Sequence, residues 1–161
     1  IKETDELGQY QRITLQDPNE FDVEISVGPG EFDYRLPRSV ATVNHSDSPQ
    51  RVNTTQNFAA RPSPITKLGH LVIETAGYQE TVTWYTKTLG LIPSDTQVLP
   101  SGEPIVTFFR LNLGDTPTDH HTLAIAHTFQ SAFSHAAFDT VDIHAIGAGQ
   151  QWLREKGWRP P

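Results

Sequence analysis

The chain has 161 residues, 36% hydrophobic and 19% charged, enough for one ordinary domain or two small modules with a lean core. Lys and Arg number 12 against 19 Asp and Glu, a net charge of −7 with no basic block, which argues against nucleic-acid binding because phosphate neutralisation supplies most of that affinity. No apolar run approaches the roughly 20 residues of a membrane span, and the absence of cysteine removes disulfides, thiolate chemistry and Cys-ligated zinc.

Lack of cysteine also fits a reducing compartment, and the expected location is cytoplasmic. The sequence contains no methionine and opens at Ile1, so it reads as a fragment or a processed piece. In residues 10–27, Ile13 and Leu15, then Phe21, Val23, Ile25 and Val27, alternate with polar neighbours. This predicts two short strands around an Asp17-Pro18-Asn19 turn. Residues 29–66 have little periodicity and many breakers, including Pro29-Gly30 and Pro62-Ser63-Pro64, and read as a linker.

A regular pattern begins at Lys67. Leu68–Glu74 reads as a strand. Tyr78, Val82, Tyr85 and Leu89 then mark one face of an amphipathic helix that Gly90 ends. Strands are expected at Ile105–Leu113, Thr122–Ala126 and Ala136–Val141, followed by a helix capped by Asp142 and stopped by Gly157. The predicted order is β-α-β-β, then β-α. The fold class is α+β.

Six of the seven histidines lie from His70 to His144. His70 is third in its expected strand and His135 opens another, so each is placed near the start of a strand that leads into a helix. If two such units pair, both imidazoles can enter one cavity, and neutral ring nitrogens suit a divalent first-row metal. The plainer alternative is two hydrogen-bonded strand histidines, and no HExxH or other local motif decides between them. His120 and His121 open the strand Thr122–Ala126, with side chains expected on opposite faces. One of them could serve as acid or base beside a metal, or simply be a polar strand start. His45, His127 and His144 read as loop or surface residues.

The ordered series Lys67-Leu68-Gly69-His70-Leu71-Val72, Trp84-Tyr85 to Leu89-Gly90-Leu91, Asp119-His120-His121-Thr122-Leu123-Ala124-Ile125-Ala126 and Ser134-His135-Ala136-Ala137-Phe138 resembles the catalytic module of type I extradiol ring-cleavage dioxygenases. These belong to the vicinal oxygen chelate superfamily with glyoxalase. The likeness is to the dihydroxybiphenyl dioxygenase and catechol 2,3-dioxygenase branch, particularly fungal-type members. It covers residues 67–161, and Ile13–Val27 is similar to the closing strands of such an enzyme's N-terminal module.

The resemblance implies paired βαβββ units: a tail of an N-terminal module over 1–28, the linker 29–66, and a catalytic-type module over 67–161 whose last strands are missing. It implies Fe(II), or Mn(II), held by two histidines and a carboxylate, with His70 and His135 matching the histidine ligands. His121 matches an acid–base histidine outside the ligand set, and Val72 and Phe109 match apolar positions beside the substrate. In the family the glutamate ligand sits on a late strand, so the resemblance places it beyond Pro161. Glu24 lies on the corresponding strand of the first unit, whose site is usually non-catalytic in two-module relatives, and Glu74 and Glu103 have no motif support. The implied partners are a catechol-type diol and O2, with no nucleic acid or membrane, and homo-oligomers are compatible with the family. A metal-free binding module like the bleomycin-resistance proteins is the alternative, although such a cleft needs no matched imidazoles.

Overall fold

The computed structural model describes residues 2–4, 11–28, 46–53 and 59–159. Strands β1 (Lys2–Thr4), β2 (Gln11–Gln16) and β3 (Asp22–Val27) form an antiparallel sheet in that order, with Ile13 opposite Ile25 and Leu15 opposite Val23. The turn between β2 and β3 is set by Asp17, whose Oδ1 accepts from the backbone N–H of Asn19 (2.8 Å) and of Phe21 (2.9 Å).

The remaining elements are β4 (Ile65–Thr75), α1 (Tyr78–Leu89), β5 (Ile92–Val98), β6 (Pro104–Arg110), β7 (Leu123–His127), β8 (Ala132–Thr140) and α2 (Ile143–Glu155). The five strands form one sheet in the order β5-β6-β7-β4-β8. The β4–β7 pair is parallel, and the β5–β6 and β6–β7 pairs are antiparallel. The fold is α+β, as the alternation of patterns implies.

Contacts divide the chain into two compact units: the described residues up to 28 with 69–137, and the described residues 46–68 with 138–159. In the first, Ile73, Phe109, Leu123 and Ile125 form a core with Tyr78 and Tyr85 of α1 and Leu91, and Val82 and Leu89 pack at its margin. Strand alternation places these sheet residues on one face and leaves His70, Val72, Phe108 and Ala124 on the other. Helix α1 ends at Gly90, whose φ of 69° is the left-handed conformation that glycine adopts most readily. In the second unit the Asp142 carboxylate caps α2 by accepting from the Ala145 N–H at 2.8 Å. Ser63 Oγ donates to the Ala145 carbonyl at 2.8 Å, and the missing Cβ of Gly149 leaves room for that hydroxyl.

Several boundaries differ from the sequence reading. Strand β5 was not expected, because Pro93, Ser94 and Asp95 are poor strand formers; it is an edge strand with irregular register at Pro93/Asp95 and Gln97/Val98. Strand β4 starts at Ile65, and β8 starts at Ala132. His70 is therefore sixth of the 11 residues in β4 and His135 fourth of the 9 in β8, so both sit in mid-strand. Of the expected linker, residues 29–45 and 54–58 lie outside the described residues, as does His45. Residues 59–64 carry neither helix nor strand. No described helix is long and apolar enough to cross a membrane.

Candidate metal centre

Three histidines from separate parts of the chain converge on the non-core side of the sheet. The rings of His70 and His135 lie 5.5 Å apart, centroid to centroid, with their planes at 76°. The His121 ring lies 4.4 Å from His70 at an interplanar angle of 40°. His70 and Val72 share one face of β4, and their neighbours Leu71 and Ile73 turn the other way. Ala124, opposite Val72 on β7, presents a methyl group to this side and is fully buried.

His121 and His120 precede β7, so strand alternation does not send their rings to opposite faces. Instead Nδ1 of one ring lies 3.1 Å from Nδ1 of the other. A single proton bridges that pair, because two protonated Nδ1 atoms would repel. Each ring keeps its Nε2 for another partner. The expectation that His120 and His121 face opposite sides is thus corrected: the two rings are hydrogen-bonded neighbours.

Partial burial, then the nearby His70 and His120 rings, lower the proton affinity of His121 below the ordinary histidine range, with Asp119 acting in the opposite direction. The lowered proton affinity favours the neutral imidazole near pH 7. Ser134 Oγ lies 3.4 Å from His135 Nδ1, leaving Nε2 of that ring for a ligand.

Phe109 does not line this site. It has no accessible surface and belongs to the core, because its register partner Leu123 faces α1. Its neighbour Phe108 faces the histidines instead, with ring centroids 5.0 Å from His121 and 6.0 Å from His120. Two adjacent phenylalanines on a strand must face opposite sides. The sequence signal was therefore present, and the β6–β7 register needed to choose between them was not.

Two imidazoles bound side by side to one ion at about 2.1 Å place their ring centroids roughly 4.5–5.5 Å apart, so the His70–His135 separation fits two ligands of one metal. Among the described residues no group of three or more His, Cys, Asp or Glu is arranged to hold an ion. Glu74 shares the His70 face but lies four residues along β4, about 13 Å away at strand rise. Glu24 pairs with Arg12 at 3.3 Å, and Glu103 lies 3.9 Å from His127. The donors present thus fit part of a metal shell, and the carboxylate is not among them.

A profile of the Glyoxalase/Bleomycin resistance protein/Dioxygenase superfamily matches residues 67–160, and the chain belongs to that superfamily. Metapyrocatechase 2 of Cupriavidus necator is 24% identical over 151 residues, which are 94% of this chain and 44% of that protein. The chain thus spans less than half the length of this relative. A variant of homoprotocatechuate 2,3-dioxygenase from B. fuscum, solved in complex with HPCA, superposes with a TM-score of 0.53 at 17% identity, covering 62% of this chain and 25% of that one. Methylmalonyl-CoA epimerase from Mycobacterium tuberculosis gives a TM-score of 0.41 at 17% identity, covering 65% and 71%.

Proposed function

We propose that this chain carries the two-histidine part of the metal centre of an extradiol-type dioxygenase, which opens a catechol ring beside its hydroxyls by inserting both atoms of O2. The observation that carries the reading is the meeting of His70, His121 and His135 within ring contact on one side of the sheet. Similarity to metapyrocatechase 2 and the shared fold of homoprotocatechuate 2,3-dioxygenase support it. A sequestering cleft would have no need of three converging imidazoles.

In this reading His70 and His135 hold Fe(II), or Mn(II), through neutral nitrogens. The ion would supply open positions for the diol oxygens and for O2, together with a path for electron density between them. The chain's own residues do the rest. His121, kept neutral by its surroundings, accepts a proton from a diol hydroxyl and returns it later in the reaction. Its Nδ1 contact with His120 fixes which nitrogen is free to do so. Phe108 and Val72 offer apolar surface to the aromatic ring, and Phe108 shields the His121 side from water.

The test uses the full protein that contains this chain, prepared anaerobically with Fe(II) and assayed with catechol for formation of the yellow ring-opened product. His70→Ala and His135→Ala should each abolish iron retention and product together. Full activity in either variant rejects the ligand assignment.

A further inference from the structure

We propose that Asn19 is a positioning residue for the histidine cluster, tying the end of β4 to the start of β8 and thereby holding the spacing of His70 and His135; the functional meaning of that spacing rests on the ligand reading above. The Asn19 Oδ1 accepts from Thr75 Oγ1 at 2.5 Å and from Ser131 Oγ at 2.8 Å. Thr75 is the last residue of β4, and Ser131 immediately precedes β8. The Asn19 Nδ2 donates to Thr81 Oγ1 of α1 at 3.0 Å and to Asp17 Oδ2 at 3.2 Å. A carboxylate only accepts, so the Asp17 contact fixes which way the amide points. Both donor hydrogens and both acceptor lone pairs of the side chain are then in use.

Strands β4 and β8 are neighbours in the sheet and carry His70 and His135. Side chains alternate along a strand, so a slip of one residue in β8 would turn His135 to the opposite face, away from His70. The Asn19 bridge opposes that slip at the end of the pair where the chain enters β8. The His70–His121 spacing has separate support, since β4 pairs directly with β7 from Leu71 to Thr75 and the Thr128 N–H donates to the Thr75 carbonyl at 2.9 Å. Asn19 therefore acts selectively on one of the two histidine spacings.

The experiment is performed on the metal-free chain by NMR, following ring-proton cross-peaks between His70 and His135 and between His70 and His121. Asn19→Ala and Ser131→Ala should each lose the first cross-peak and keep the second, and Ser131→Thr, which retains the hydroxyl, should restore the first. If Asn19→Ala does not fold, the exposed Ser131 pair decides alone. A His70–His135 cross-peak unchanged in Ser131→Ala overturns the proposal. So does loss of both cross-peaks together, the signature of a merely structural role. No metal is used, so failure of the ligand assignment leaves this readout intact.

Discussion

The imidazoles of His70 and His121 lie 4.4 Å apart, nearer than the 5.5 Å that separates His70 from His135. At that distance two rings resist carrying positive charge together, and His120 adds a third ring to the group. Together with its partial burial, the larger cause, this favours the neutral form of the His121 imidazole.

Its titration follows with a definite sign. The folded-state pKa of His121 is lowered, so the unfolded chain binds more protons in the window just below the ordinary histidine value of about 6.5. The stability linked to this group is complete above that value and is lost as pH falls through the window. An NMR titration should show a His121 midpoint below about 6.5, and His121→Gln should flatten the acid side of the melting-temperature profile. A midpoint at or above that value contradicts the arrangement.

Phe108 and Phe109 should separate binding from folding. Phe109→Ala removes a core ring with 0% exposure and should cost about 3–5 kcal/mol of stability, read by chemical denaturation. Phe108→Ala should leave most of the stability in place and, under the proposed function, raise the KM for catechol in the full protein. Equal destabilisation by both variants would show that Phe108 also belongs to the core.

Burial of Asp17 makes the β2–β3 turn part of the α1 packing. The Asp17 carboxylate accepts from Tyr85 Oη at 3.1 Å as well as from the turn amides, and burial together with this carboxylate pushes the Tyr85 phenol pKa up. Asp17→Ala leaves those donors without their acceptor and should cost roughly 2–4 kcal/mol. Tyr85→Phe removes only one partner and should cost about 1 kcal/mol. A denaturation midpoint unchanged by Asp17→Ala would show that the turn is not locked.

Glu20 closes the same turn with a φ of 65°, a left-handed conformation that a side chain disfavours. Glu20→Gly relieves that cost, and thermal unfolding should show a gain of roughly 0.5–1 kcal/mol. A loss of similar size would mean that the Glu20 side chain supports the turn.

Elements with strong periodicity were legible. Tyr78, Val82, Tyr85 and Leu89 marked α1, because burial on one face leaves a direct imprint on the residue pattern, and Ile13, Leu15, Val23 and Ile25 marked the hairpin by alternation alone, Ile13 and Ile25 being exposed. Strand β5 was not legible, since an edge strand held by one neighbour tolerates Pro93 and Asp95. The meeting of His70 with His121 and His135 followed from resemblance rather than from spacing: it depends on β4 lying between β7 and β8, a long-range pairing that no local pattern records. Thr75 and Thr81, both with 0% exposure, were missed for the opposite reason. They are polar residues made burial-compatible by Asn19, a partner distant in sequence.

The central claim is that His70 and His135 bind one metal ion. Its most direct test is anaerobic titration of the chain with Co(II) or Mn(II) while the histidine ring resonances are followed by NMR. The account predicts that the His70 and His135 signals shift or broaden first and together, with His121 close behind because of its 4.4 Å contact, while His127 and His144 stay sharp. Unaltered His70 and His135 signals, or equal broadening of every histidine, would contradict it.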